Sequence, residues 1–184
     1  MAKDPKPLRR VVTGHDRNGK SCVLFDSDAP NVYLRPGSRS FFSEMWTIES
    51  MPAVLSGSKD EGGEDRKFSH SPPAKGAHFR VIQSEPGGLK FSDPKAEKNF
   101  FDELNRGGVS EIKIGGPAPH FHRTPTVDYA INLGGDRYLV LDDSEVLMRR
   151  GDVVIQLSNY HAWVNRTDEP GRMGYDMIGG EFPD

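Results

Sequence analysis

The sequence predicts an all-β fold, and three observations support this prediction. The chain of 184 residues contains 20 glycines and 14 prolines, a composition that in a globular protein indicates many turns between short strands. From residue 109 onward, short apolar segments follow one another at a spacing of about 8–12 residues, which is typical of a sandwich or a barrel. No internal repeat is visible, so we expect one barrel and not two.

The sequence pattern of the N-terminal part of the chain predicts strands that extend the barrel. Residues 9–25 predict a hairpin, because an Asn-Gly pair, a strong turn signal, lies between two apolar runs. Residues 41–51 and 78–83 predict two further strands. The segment between these two, residues 56–76, is rich in charges and lacks apolar periodicity, so it predicts a mobile loop.

One short helix is predicted at about residues 94–105. Ser92 or Asp93 can cap its start, and Pro94 suits its first turn. The apolar stripe of this helix consists of Phe100, Phe101 and Leu104. Because the helix directly precedes a histidine-rich segment, we expect it to pack near the mouth of the barrel as part of a lid.

We expect residues 109–184 to form the barrel core. Residues 1–108 are expected to pack on this core, so that the chain forms one structural domain. The expected strands lie at residues 109–114, 120–121 and beyond, 128–133, 137–141, 144–148, 152–156, 161–165 and 172–178. Turns rich in glycine, proline, asparagine and aspartate separate them.

The composition argues against several classes of function. The formal net charge is −3, with basic and acidic residues interspersed, so no nucleic-acid or membrane partner is expected. The single cysteine, Cys22, excludes an internal disulfide and suits a reducing compartment. No apolar run suits a membrane span or a signal peptide, so we expect a cytoplasmic protein.

A histidine pair is the strongest functional signal. His120 and His122 stand one residue apart between β-like flanks, and on a strand such residues point to the same face. Two imidazoles on one face suit a divalent metal. Asp128 and His161 follow along the chain and could complete the site.

At these residues the chain resembles the cupin superfamily, over about residues 109–179. That family has a His-x-His motif followed by an acid and a glycine, and a second motif with a glycine, a histidine and an asparagine. The matching residues are Gly115, Gly116, His120, His122, Asp128, Gly135, Gly151, Asp152, His161 and Asn165. The chain departs from the pattern where an aspartate replaces the usual glutamate and lies further from the histidine pair, and the second motif lacks its proline.

The resemblance implies a single-domain cupin of the cupin_2-like conserved-barrel type, with a jelly-roll-like barrel. It also implies one divalent metal ion, either iron, zinc, manganese, nickel or cobalt. His120, His122, Asp128 and His161 would hold this ion and leave at least one position open for chemistry. Cupin barrels commonly pair, so a homodimer is expected, and the hairpin at residues 9–25 could add strands to a neighbour's sheet.

Four residues are candidates for contact with a small-molecule substrate. Strand alternation places Trp163 on the face of the third histidine and Asn132 on the face of the acid. Arg80 could receive an anionic group, and Met177 could help to build an apolar pocket.

Three residues are candidates for a general acid or base, namely Tyr138, Tyr129 and, if it does not bind the metal, Asp128. The two histidines outside these motifs and strands, His15 in the hairpin turn and His70 in the polar loop, are expected at the surface.

Two classes of function remain open. The first is a metal-dependent enzyme that acts on a small organic molecule. A redox-active metal would give a dioxygenase-type oxidoreductase, which we favour. A Lewis-acid metal would give a lyase, dehydratase, decarboxylase, isomerase or cyclase acting on a small carbonyl or carboxylate compound. The second class is a non-catalytic cupin that binds a metal or another ligand.

Overall fold

The structure, a computed structural model, describes residues 7–35, 38–55, 59–106 and 108–182. These residues form thirteen strands and one helix, which confirms the all-β prediction with one short helix. The elements are β1 (Arg9–His15), β2 (Ser21–Asp28), β3 (Asn31–Leu34), β4 (Phe41–Ile48), β5 (Ala77–Ser84), α1 (Pro94–Leu104), β6 (Glu111–Ile112), β7 (His122–Arg123), β8 (Thr126–Gly134), β9 (Arg137–Val140), β10 (Glu145–Met148), β11 (Val153–Leu157), β12 (Ala162–Val164) and β13 (Gly171–Gly179).

Two antiparallel layers form the barrel. The larger sheet has six strands in the order β11-β8-β13-β5-β4-β3, and a smaller sheet has the order β10-β9-β12. A bridge between His122 and His161 joins the β6–β7 pair to β12 and thereby extends the smaller sheet. The layers meet where Trp163 of β12 packs edge-on against Tyr175 of β13, with ring centroids 5.8 Å apart.

Strand β8 shows how alternation positions the interior. Asp128 and Asn132 are buried on its inner face, while Tyr129 and Ile131 are exposed on its outer face. The neighbouring strand β11 continues the outer apolar face with Ile155, which pairs with Tyr129. The expected homodimer and cytoplasmic location stay predictions. Within the described ranges, no helix is long and apolar enough to cross a membrane.

The N-terminal hairpin consists of β1 and β2 and is fixed to the barrel by Arg10. The Arg10 side chain donates to the carbonyl oxygen of Met45 at 3.1 Å and forms an ion pair with Asp60. The loop predicted at residues 56–76 has neither helix nor strand at residues 59–76, and residues 56–58 lie outside the described ranges. Part of this loop is buried, since His70 and Ser71 are only 6% and 5% exposed.

Helix α1 begins and ends near the predicted residues. The Asp93 side chain accepts a hydrogen bond from the backbone N–H of Ala96 at 2.9 Å and caps the helix. Phe101 and Leu104 are buried beneath it. The Glu97 carboxylate accepts a hydrogen bond from the backbone N–H of His120 at 2.6 Å, so the helix is tied to the histidine segment.

Candidate functional site

A cavity of about 140 Å³ lies between the two sheets and collects most of the chemically active side chains. Its apolar wall contains Phe42, Ile82, Trp163, Val164, Tyr175 and Met177. Its ionisable lining consists of His70, His120, His122, His161, Asp128, Glu85, Arg35, Arg80, Arg137 and Tyr175.

His120 reaches the cavity by a route that strand alternation does not describe. Strand β7 begins at His122, and His120 lies before it in a left-handed conformation with φ of 59°. The expectation that both histidines share one strand is therefore wrong, although their rings lie together, with centroids 4.5 Å apart. The hydrogen bond from the His120 backbone to Glu97 stabilises the turn that brings the rings together.

The bridge between β7 and β12 places His161 beside His122. Their backbones exchange hydrogen bonds of 2.9 and 2.8 Å, and their ring centroids lie 4.6 Å apart. Nδ1 of His122 donates to the carbonyl oxygen of His120 at 2.8 Å, and Nδ1 of His161 donates to that of Asn159 at 3.0 Å. A proton on Nδ1 leaves the lone pair on Nε2, which is the arrangement of a metal-binding histidine.

His70 is a fourth member of this cluster, and the prediction that it lies at the surface is wrong. Its ring centroid lies 4.8 Å from that of His122 and 5.5 Å from that of His120. Its Nδ1 lies 3.1 Å from the hydroxyl oxygen of Ser110. No periodic pattern marks His70 in the sequence, because a loop residue is placed by tertiary contacts alone. His15, in contrast, is exposed as expected.

Burial keeps the clustered imidazoles neutral. It lowers the pKa of His122 to about 3, with a further contribution from His161, and lowers that of His161 to about 4. Burial also lowers the pKa of His70 and of His120 well below the usual range, and neighbouring histidines add to both shifts. Neutral imidazoles are the protonation state that binds a divalent metal.

Asp128 lines the same cavity and is buried. Burial raises its pKa to about 6, and a hydrogen bond from Thr126 opposes this shift. Its Oδ1 has no hydrogen-bond partner among the described residues. Among the described residues, no three His, Cys, Asp or Glu side chains lie in an arrangement that could hold a metal ion without some movement.

The donor chemistry nevertheless fits a divalent metal. Nε2 of His120 is buried without a hydrogen-bond partner in the described chain, and the tautomers of His122 and His161 leave Nε2 free to bind. Buried polar atoms rarely lack partners. The unsatisfied Nε2 of His120 and Oδ1 of Asp128 are therefore consistent with a bound cation.

Arg80 has contacts that do not suit the predicted role of binding an anion. Its guanidinium pairs with the buried carboxylate of Glu44 at 3.0 Å. It also donates to the backbone carbonyl oxygens of Ser69 at 2.6 Å and His70 at 3.2 Å. Arg80 is only 2% exposed, so its role is to hold the loop that carries His70.

Two other predicted residues lie outside the cavity lining. The Asn132 amide donates to the backbone oxygens of Gly135 and Met148, both at 2.8 Å, and therefore fixes the turn after β8. Tyr138 lies on the outer side of β9, with the Arg166 guanidinium 4.9 Å from its ring centroid. The predictions of substrate binding by Asn132 and of acid or base catalysis by Tyr138 are contradicted by these positions.

Trp163 and Met177 do line the cavity. Trp163 Nε1 is buried without a partner among the described residues, and the sulfur of Met177 lies 3.1 Å from Nε2 of His78. Two cavity residues that sequence reasoning missed are Arg35 and Arg137. A signal for Arg137 was available in the sequence, because Arg137 lies two residues before the apolar Leu139 and strand alternation places both on the buried face of β9.

A two-layered antiparallel barrel with clustered imidazoles inside it defines a protein of the cupin class. The sequence is 45% identical over 177 residues to the cupin-domain-containing oxidoreductase srdD of Neurospora crassa, a match that covers 94% of this chain and 76% of that protein. The chain therefore belongs to the cupin superfamily.

Other comparisons are weaker. The cupin-domain-containing oxidoreductase fogC of Aspergillus ruber is 27% identical over 174 residues, which cover 92% of this chain and 71% of that protein. The structure of a putative ethanolamine utilization protein Q from Salmonella typhimurium aligns with a TM-score of 0.46 and 7% identity, over 96% of this chain and 100% of that chain. No family model matches the chain.

Proposed function

We propose that this protein is a metal-dependent cupin oxidoreductase that acts on a small organic molecule, with oxygen chemistry of the dioxygenase type. The observation that carries the proposal is the cluster of His120, His122 and His161 beside an apolar cavity. The names of srdD and fogC describe both relatives as oxidoreductases and support the redox branch.

Three imidazoles would hold the metal, and two further side chains are additional donors. His120, His122 and His161 supply neutral nitrogen atoms, and His70 and Asp128 line the same cavity. This mixture of nitrogen and oxygen donors suits iron, manganese, nickel, cobalt or zinc. A bound redox-active metal would supply the electron transfer and the O2 binding that protein side chains lack.

The chain itself would position the substrate and exclude water. Trp163, Met177 and Phe42 form apolar surfaces around the cavity, against which an apolar substrate would lose its hydration shell. The bonds from Nδ1 to backbone carbonyl oxygens hold the rings of His122 and His161 in fixed orientations. A substrate bound here would meet a pre-oriented set of donors.

Asp128 supports a second candidate function, Lewis-acid chemistry on a small carbonyl or carboxylate compound. Such chemistry needs a general acid or base that changes protonation near neutral pH. Burial raises the pKa of Asp128 to about 6. An Asp128 carboxyl free of the metal could take a proton from a substrate and return it.

The first experiment is elemental analysis of the purified protein together with three variants. We expect about one metal ion per chain in the wild type, as for a mononuclear cupin site. His122→Ala and His161→Ala should each lose that metal while the circular dichroism spectrum stays rich in β-structure. His15→Ala is the matched control, because His15 is exposed, and it should retain the metal.

The metal found decides between the candidates. One equivalent of iron, with oxygen consumed on addition of substrate, would support the dioxygenase branch, whereas zinc would favour Lewis-acid chemistry. Metal retained by both cavity variants would contradict the proposed site. Absence of metal even after reloading would favour a non-catalytic ligand-binding barrel.

A further inference from the structure

Two arginines that line the cavity, Arg35 and Arg137, form no ion pair with any of the described residues. Arg137 is only 3% exposed, and its Nε and Nη1 have no hydrogen-bond partner among the described residues. Nε of Arg35 is also buried without a partner there. A buried guanidinium without a counter-ion is strongly destabilising, and proteins normally pair such groups.

The acids of the cavity lining do not supply the missing charge. Glu85 accepts a hydrogen bond from the Gln83 side chain at 3.2 Å, and no ion pair joins it or Asp128 to either arginine in the described chain. Instead, the positive charge of one guanidinium group disfavours the charged form of the other. Burial first, and then the charge of Arg137, lowers the pKa of Arg35 to about 10.

The fold makes room for both guanidinium groups and fixes them. A side chain at Gly171 would begin 2.7 Å from Cδ of Arg137, so the absence of one leaves space for the arginine stem. The Arg35 guanidinium lies 5.3 and 5.6 Å from the ring centroids of Phe42 and Phe100. These contacts restrain both arginine side chains, and a restrained guanidinium group is what a built binding site requires.

The arginines are close to the histidine cluster. The Phe100 ring, which contacts Arg35, has its centroid 5.8 Å from that of His120. Arg35, Arg137 and His120 all line the same cavity. A molecule held at the arginines would therefore extend along the apolar wall towards the imidazoles.

We propose that Arg137 and Arg35 form a carboxylate-binding subsite, so that the substrate of this cavity is a small apolar molecule with a carboxylate group. Planar guanidinium groups donate paired hydrogen bonds that match the two oxygens of a carboxylate. Trp163 and Tyr175 would contact the apolar part. This inference extends the proposed function, on which it rests, by naming the substrate class of the same cavity.

The test is calorimetric titration of metal-free protein with benzoate and with benzamide, its neutral analogue. Chelation beforehand ensures that no metal can bind the carboxylate. We expect benzoate to bind about tenfold more tightly than benzamide, as hydrogen bonds to a charged group should give. Arg137→Gln should weaken benzoate binding by about tenfold and leave benzamide binding unchanged.

Arg137→Lys provides a second variant that keeps the charge but loses the fork, and it should recover only part of the affinity. Arg149→Gln is the control, because Arg149 is exposed and lies outside the cavity lining. Equal binding of benzoate and benzamide, or a preference for benzoate that survives Arg137→Gln, would overturn the proposal. Tighter binding of phenyl phosphate than of benzoate would overturn the carboxylate assignment.

These outcomes are separate from the test of the proposed function. If benzoate shows no preference over benzamide, but elemental analysis of the purified protein finds the expected metal, only the carboxylate subsite is rejected. Loss of metal from the histidine variants does not enter the titration, which uses protein without metal.

Discussion

The two ends of the cavity differ in electrical character. At the histidine end, neutral imidazoles present nitrogen lone pairs, and Nε2 of His120 has no hydrogen-bond partner among the described residues. At the arginine end, Arg35 and Arg137 present cations that lack an anion in that same part of the chain. The proposed metal and the proposed carboxylate would each bind at the end of the cavity whose charge complements its own.

Asp128 gives the largest effect expected from this comparison. Burial raises the pKa of Asp128 from 3.8 to about 6, so between these values the folded state binds a proton that the unfolded state does not. Folding stability therefore falls as the pH rises through this window. Above about pH 6 the buried carboxylate destabilises metal-free protein by about 3 kcal/mol, at 1.36 kcal/mol for each pKa unit.

Asp128→Asn should remove this penalty. In urea unfolding of metal-free protein, we expect the variant to be more stable than the wild type by about 3 kcal/mol at pH 8 and no more stable at pH values below 3.8. Asp168→Asn, at an exposed position, should show no such difference. Equal stability of Asp128→Asn and wild type at pH 8 would mean that the carboxylate has a favourable partner. If Asp128 is also a metal ligand, the variant should bind metal more weakly.

His70 should affect the histidine end of the cavity and leave the arginine end unchanged. We expect His70→Ala to weaken metal binding by about 10–100-fold, the loss typical for a group in or next to a metal site. Competition with a chelating indicator measures this affinity, and benzoate titration should show no change. Unaltered metal affinity in His70→Ala would mean that this ring only packs against its neighbours.

The sequence predicted the fold because strands and turns are local patterns. Alternation and spacing located β8, β11 and β13, and the motif around His161 located the third histidine. His120 was found from the motif, although its left-handed backbone depends on a contact with Glu97 of the helix. A contact across 23 positions in the chain leaves no periodic signal.

The missed residues have a common physical cause. His70 lies in a polar loop, and its burial depends on contacts distant in sequence, among them the bonds that Arg80 donates to the backbone carbonyl oxygens of Ser69 and His70. Arginine is usually a surface residue, and the burial of Arg137 depends on the space beside Gly171. Tyr138 was wrongly favoured because its neighbour on β9 takes the inward position.

Gly171 offers the smallest and most selective change at the arginine end. In Gly171→Ala the new methyl group would begin 2.7 Å from Cδ of Arg137, and the flexible arginine stem must shift. We expect a loss of benzoate affinity of about three- to tenfold, corresponding to one weakened charged hydrogen bond, with metal content unchanged. Gly174→Ala on the same strand is the matched control, because its methyl group would meet Leu133 and Phe79 at an ordinary 3.5 Å. Equal benzoate affinity in the two variants would show that the position of the Arg137 stem does not matter for anion binding. Metal loss in Gly171→Ala alone would show that the two ends are coupled through β13.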